Sequence, residues 1–197
     1  MRDIDVRESV WILLESLHAK DNNTFMLNEL GILNGLSRID IAVINGEIAG
    51  FELKSEQDTL ERLPNQRDLY NMVFDRVTLV VAENHRSAAL EIIPNWWGVF
   101  IAHQLKGGGV EINQERESGF NEYLDPEALC AFLWRNEAIA ILEKNGASRG
   151  VKSKSREIIY KRISAMLDLN VIRDEVRRAL KIREGWRLDQ RLQRCGG

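Results

Sequence analysis

Residues 37–55 read Ser-Arg-Ile-Asp-Ile-Ala-Val-Ile-Asn-Gly-Glu-Ile-Ala-Gly-Phe-Glu-Leu-Lys-Ser. Two apolar runs flank an Asn-Gly pair, the pattern of a β-hairpin. Three charged residues, Asp40, Glu52 and Lys54, interrupt the run where a half-buried sheet prefers apolar side chains. Strand side chains alternate between faces. A three-residue loop, Asn45-Gly46-Glu47, pairs Ile44 with Ile48 and Asp40 with Glu52. Ile39, Ile41 and Val43 then share a face with Ala49, Phe51 and Leu53, and Asp40, Glu52 and Lys54 share the other. A two-residue loop would spoil both faces, and a one-residue slip has the same effect.

Two carboxylates ~5 Å apart repel by roughly 3 kcal/mol at an effective dielectric of 20. A hard divalent cation offsets that repulsion, and Mg²⁺ (or Mn²⁺) takes carboxylate oxygens while keeping several waters. Such a metal polarises a phosphate oxygen and activates water. The Lys54 ammonium is suited to orient that water and offset developing charge. A plain Asp–Lys ion pair on an exposed sheet face is the alternative; the apolar flanks argue for a functional charge.

Working outward, Val6, Val10, Leu13, Leu14 and Leu17 predict an amphipathic helix over 5–20. Strands are expected at 25–32, 39–44, 48–54, 77–81, 96–102 and 110–112. Pro64 predicts a helix over about 64–74, and 85–92 suits a short one. Asp58 is expected to cap a helix before Thr59. Pro126 opens a long helical stretch that Asn145-Gly146 ends, and residues 148–197 read as helical and basic throughout. Of the adjacent Trp96 and Trp97, one belongs in the core; Trp134 and Trp186 are expected at helix–helix contacts.

The chain has 197 residues and a net charge of -3, which hides a split. Residues 1–147 hold 13 Lys and Arg against 24 Asp and Glu, a balance of -11; residues 148–197 hold 14 against 6, a balance of +8. An acidic body with a basic tail suits a metal-binding core joined to a segment that meets phosphates. A basic tail docked on its own acidic body explains the split equally well. Cys130 and Cys195, like the three histidines, match no zinc spacing. No apolar run approaches a membrane span, and the first residues lack the apolar core of a signal peptide, so a reduced cytoplasmic setting and no membrane partner are expected.

Asp40, followed by Glu52-Leu53-Lys54, resembles the PD-(D/E)XK nuclease superfamily, although Ile39 stands where the superfamily's name has proline. The resemblance implies an α/β, restriction-endonuclease-like core of helix, three antiparallel strands, helix and strand, over about residues 1–115. A helical, basic C-terminal extension over 116–197 would follow. Gln66-Arg-Asp-Leu-Tyr70 resembles the Q-x-x-x-Y element of the recombination-exonuclease branch. Arg38-Ile-Asp-Ile-Ala, Pro94-Asn-Trp-Trp-Gly98 and Leu133-Trp-Arg-Asn-Glu137 resemble signatures of a functionally uncharacterised bacterial group in that superfamily. The implied roles are Asp40 and Glu52 as metal ligands, Lys54 positioning water, and Gln66 assisting. Glu29 is a candidate further ligand. Tyr70, Arg62, Lys152, Lys154 and Arg156 are candidate contacts to a bound nucleic-acid strand. The expected activity is Mg²⁺-dependent hydrolysis of DNA phosphodiester bonds, with RNA as an alternative substrate and a homodimer or larger complex compatible with it. A catalytically weak nucleic-acid-binding subunit of a repair or defence complex is the first alternative, and a protein-interaction module the second.

Overall fold

The computed structural model describes residues 1–183; Trp186 and Cys195 lie outside the described residues. They form a mixed α/β fold with a six-stranded sheet and seven α-helices.

The first helix, α1 (Asp3–His18), buries Val6, Val10 and Leu14, one residue per turn on a single stripe. Burial of three such side chains contributes about 1.5–3 kcal/mol each. Next come β1 (Phe25–Ile32), β2 (Ser37–Ile44) and β3 (Ile48–Lys54), each antiparallel to the next. The β2–β3 turn has the expected three-residue loop, with Ile44 opposite Ile48. Then α2 (Leu63–Asn71), opened by Pro64, carries the chain to β4 (Arg76–Ala82), which lies parallel to β3. The short α3 (Arg86–Ile92) leads to β5 (Gly98–Gln104), parallel to β4, and β6 (Val110–Arg116) turns back antiparallel. The strands are ordered β1-β2-β3-β4-β5-β6.

The sheet has two covered faces. On one, α1 packs against Ile41, Val43, Phe51, Leu53, Val80 and Phe100. On the other, Ile44, Val77, Leu79, Val81 and Val99 meet α2 and the C-terminal helices in one continuous core. Trp97 is the buried member of its pair, stacked on Tyr70 with ring centroids 6.2 Å apart, and its indole N–H donates to Asn71 Oδ1 at 2.9 Å.

The C-terminal part departs from the expected long helices. The stretch after Pro126 is split into α4 (Pro126–Cys130) and α5 (Arg135–Lys144). Trp134 is extended there, and its backbone N–H donates to the Glu137 carboxylate at 2.6 Å, which starts a new helix. Trp134 is half exposed and lies 4.3 Å under the guanidinium of Arg183, at the end of the chain's last described helix. The tail is not helical throughout either: α6 (Arg156–Met166) and α7 (Leu169–Ile182) follow a non-helical link from Ala147 to Ser155. No helix among the described residues is long and apolar enough to cross a membrane.

Candidate active site

Regular alternation fails at one place in the first hairpin. Leu27 and Leu30 both enter the core on the α2 side, as do Ile39 and Ala42. Each strand therefore changes phase between those residues, at Glu29 and Asp40. Glu29 has φ 55, in the left-handed region that side-chain-bearing residues rarely adopt. Ile39 thus faces α2, not α1 with Ile41 and Val43 as the pattern predicted. The β2–β3 ladder stops at Ile41 opposite Phe51, so Asp40 is not paired with Glu52 across it. Instead Asp40 turns its carboxylate into the gap, where Oδ2 accepts the Leu53 backbone N–H at 2.9 Å. The side chain takes the place of a missing rung, and that buried N–H is not left unpaired.

Glu52 and Lys54 lie on the α2 side of β3, 2% and 4% exposed. Lys54 Nζ donates to Glu52 Oε1 at 2.8 Å. Gln66 and Tyr70, one turn apart on α2, close over the same carboxylate. Gln66 Nε2 donates to Oε1 at 2.6 Å, and the Tyr70 hydroxyl lies 2.7 Å from Oε2. That hydroxyl is also 2.7 Å from the Arg38 carbonyl oxygen. A phenol has one proton and faces two acceptors here. The single phenol proton serves one of them at a time. Burial, and then the nearby Asp40 charge, push the Glu52 carboxyl above its ordinary range, with Lys54 pulling against them. Burial likewise raises the Tyr70 phenol.

Asp40, Glu52, Lys54, Gln66 and Arg62 line one cleft of ≈ 780 Å³. Glu29 is not among its lining residues. Its carboxylate pairs with Arg38 at 3.0 Å and approaches Arg7 at 3.8 Å. Asp58, also on the wall, does not cap a helix; its Oδ2 accepts both the backbone N–H and the hydroxyl of Ser55 at 2.7 Å, fixing the turn after β3.

Sequence reasoning missed Arg7. This α1 residue reaches across to Asp40: Nη2 donates to Oδ1 at 2.7 Å and Nη1 to the backbone carbonyl at 3.0 Å. Asp3 approaches the same guanidinium at 3.4 Å. Although burial opposes its charge, the Asp40 carboxylate holds Arg7 firmly protonated. Arginine beside a helix stripe looks like any solvated charge; the only hint is Asp3 four residues earlier. The repulsion between the two acids is thus offset by the chain's own cations, Arg7 on Asp40 and Lys54 on Glu52.

No group of three or more His, Cys, Asp or Glu side chains positioned for a metal ion occurs among the described residues. The cleft nevertheless offers a third hard donor. Gln66 Oε1 is buried without a hydrogen-bond partner, and Gln66 lines the same cleft as the two carboxylates. Two carboxylates and an amide oxygen fit a small divalent cation that keeps several waters. Cys130 is no ligand candidate, since burial pushes its thiol up to about 12.

The basic residues of the tail divide. Lys152, Lys154 and Arg156 are exposed around the start of α6 and do not line the cleft. Lys152 pairs with Glu143, and the Lys152 carbonyl accepts from Arg135. Along α7, Arg173 pairs with the buried Asp75 at 2.7 Å, Arg178 with Glu175, and Lys181 donates to the Asn23 and Asn45 carbonyls. This part of the tail is docked on the acidic body.

The chain resembles known proteins along most of its length. The family model described as Bacteriophage P4 protein cII matches residues 7–194. Protein cII of Enterobacteria phage P4 is 26% identical over 173 residues, covering 87% of this chain and 64% of the phage protein. The chain therefore spans just under two thirds of that relative's length. The Ca²⁺ complex of Pyrococcus furiosus SfsA superposes with a TM-score of 0.34 and 14% identity, over 62% of this chain and 65% of that one, too loosely to carry an argument. On the strength of the family match, the chain belongs to the Bacteriophage P4 protein cII family.

Proposed function

We propose that this chain is a divalent-metal-dependent nuclease of the PD-(D/E)XK, restriction-endonuclease-like kind, hydrolysing DNA phosphodiester bonds. The observation that carries this reading is the meeting of Asp40, Glu52, Lys54 and Gln66, drawn from β2, β3 and α2, on the wall of one cleft. The element order α1, β1, β2, β3, α2, β4 supports the same reading.

A Mg²⁺ or Mn²⁺ ion held by Asp40, Glu52 and the Gln66 amide oxygen would supply Lewis-acid polarisation and an acidified water. The protein's own groups prepare for it. Leu53 N–H and Arg7 fix the direction of the Asp40 carboxylate. Tyr70 and Gln66 hold Glu52 in place. Lys54, kept dry beside Glu52, brings a positive charge to where a phosphate would gain negative charge. Arg62 and Arg38, both exposed at the cleft, suit the flanking phosphates.

A second reading is a nucleic-acid-binding subunit that cuts weakly by itself. It is favoured by one observation: each acid already has a chain cation within 2.8 Å. Incubating the purified chain with DNA and Mn²⁺ separates the two. Cleavage abolished by Asp40→Ala and by Lys54→Ala is expected from the nuclease. Intact DNA bound in a salt-sensitive complex would favour the subunit.

A further inference from the structure

Arg7 gathers three acids. Its guanidinium contacts Asp40 at 2.7 Å, Asp3 at 3.4 Å and Glu29 at 3.8 Å, and it is largely buried. A guanidinium with five donors is matched to such a set. It also stands on Asp40 Oδ1, an oxygen that the proposed metal site needs. The cleft wall carries five acids (Asp3, Asp40, Glu52, Asp58, Glu61) and four bases (Arg7, Arg38, Lys54, Arg62), a formal charge of -1. A divalent cation alone turns this to +1. One phosphodiester, with its single negative charge, returns the cleft to neutrality.

We propose that Arg7 is a hand-over residue. It holds Asp40 while the cleft is free of metal, and it transfers to a substrate phosphate oxygen when the divalent cation takes Asp40. The inference rests on the metal-dependent nuclease reading. Only non-covalent bonds change: the ion pair to Asp40 is exchanged for a charge-assisted bond to phosphate. Arg7 and metal compete for one carboxylate, so metal binds weakly to the free protein. DNA gives Arg7 another partner, so metal and DNA each tighten the other by the same factor.

The test is calorimetric titration of the full chain with Mn²⁺, alone and with a short duplex whose phosphorothioate linkages resist cleavage. For the unaltered protein, the duplex is expected to tighten Mn²⁺ by about tenfold or more. Arg7→Met is expected to tighten Mn²⁺ on the free protein by about the same factor and to remove most of the effect of DNA. Arg7→Lys keeps the charge but not the fork, and decides the matter if the methionine variant fails to fold. It is expected to tighten Mn²⁺ on the free protein several-fold. Mn²⁺ affinity unchanged or weakened in the folded Arg7 variants, while Asp40→Asn abolishes binding, overturns the hand-over and leaves the nuclease site standing. No Mn²⁺ binding by the unaltered protein, with or without DNA, overturns the metal site and the hand-over together.

Discussion

Lys54→Met probes the buried charges most sharply. The side chains of Lys54 and Glu52 are 5% and 2% exposed, and their ion pair spans 2.8 Å. Removing one partner of such a pair costs about 3–5 kcal/mol, because the other charge stays buried. Glu52 has an escape, which is to take up a proton. Burial already holds its carboxyl above the ordinary value of 4.5, and loss of Lys54 removes two influences that lower it. The sign follows from linkage. Between the unfolded and folded carboxyl values the folded state carries the extra proton, so stability falls as pH rises, by about 1.4 kcal/mol per pH unit. It is fully present below the unfolded value and is lost as pH passes the folded one. Urea unfolding in EDTA, so that no cation replaces the ammonium, should therefore find a Lys54→Met penalty that is small where Glu52 takes up a proton and grows as pH rises, towards about 3–5 kcal/mol for an unpaired buried charge. Adding Glu52→Gln should return stability to within about 1 kcal/mol of the unaltered protein near pH 8, since no buried charge is left unpaired. A Lys54→Met penalty that does not change with pH, or that stays under about 1 kcal/mol near pH 8, would refute the reasoning.

Other consequences are structural. Asp75→Ala removes a carboxylate, 2% exposed, that accepts the Ile48 N–H at 2.7 Å and the Arg173 Nε at 2.8 Å. It should cost about 3–5 kcal/mol in chemical unfolding, and a loss under 1 kcal/mol would mean that α7 is not anchored there. Tyr70→Phe strips the hydroxyl shared by Glu52 and the Arg38 carbonyl. A loss of about 1–3 kcal/mol is expected, read from the urea midpoint. At Gly98 a methyl group would meet Thr78 Oγ1 at 2.7 Å and the Ser118 backbone nitrogen at 3.1 Å. Gly98→Ala should therefore lower stability by about 1–3 kcal/mol, whereas Gly31→Ala, which meets nothing within 4 Å, should not.

The hairpin was legible because two constraints agreed. The apolar pattern of Ile41, Val43, Phe51 and Leu53 and the Asn45-Gly46-Glu47 loop allow one register, and that register is observed. That Gln66 and Tyr70 act on one face was legible by spacing, since i and i+4 must share a helix face, but Tyr70, expected to touch a bound strand, is fully buried and does not line the cleft. The phase change at Glu29 and Asp40 was not. Alternation is a local rule, and a residue at φ 55 breaks it without any glycine to announce the break. Arg7 escaped for another reason: its partner is 33 residues away, and sequence carries no sign of a contact across layers. The split of the Pro126 stretch turned on a backbone-to-Glu137 bond, a weak signal when the capping position holds tryptophan. The basic tail was readable as charge but not as placement. Arg173 and Lys181 spend their charge on Asp75 and on backbone carbonyls of the body, a choice that only the docking of α7 decides.

The most direct test of the central claim is anomalous diffraction from crystals of this chain soaked in Mn²⁺. The account predicts a peak bonded to both the Asp40 and Glu52 carboxylates, with the Gln66 amide oxygen turned toward it. Well-ordered density with Arg7 on Asp40, Lys54 on Glu52 and no anomalous signal in the cleft at saturating Mn²⁺, with DNA bound, would contradict it.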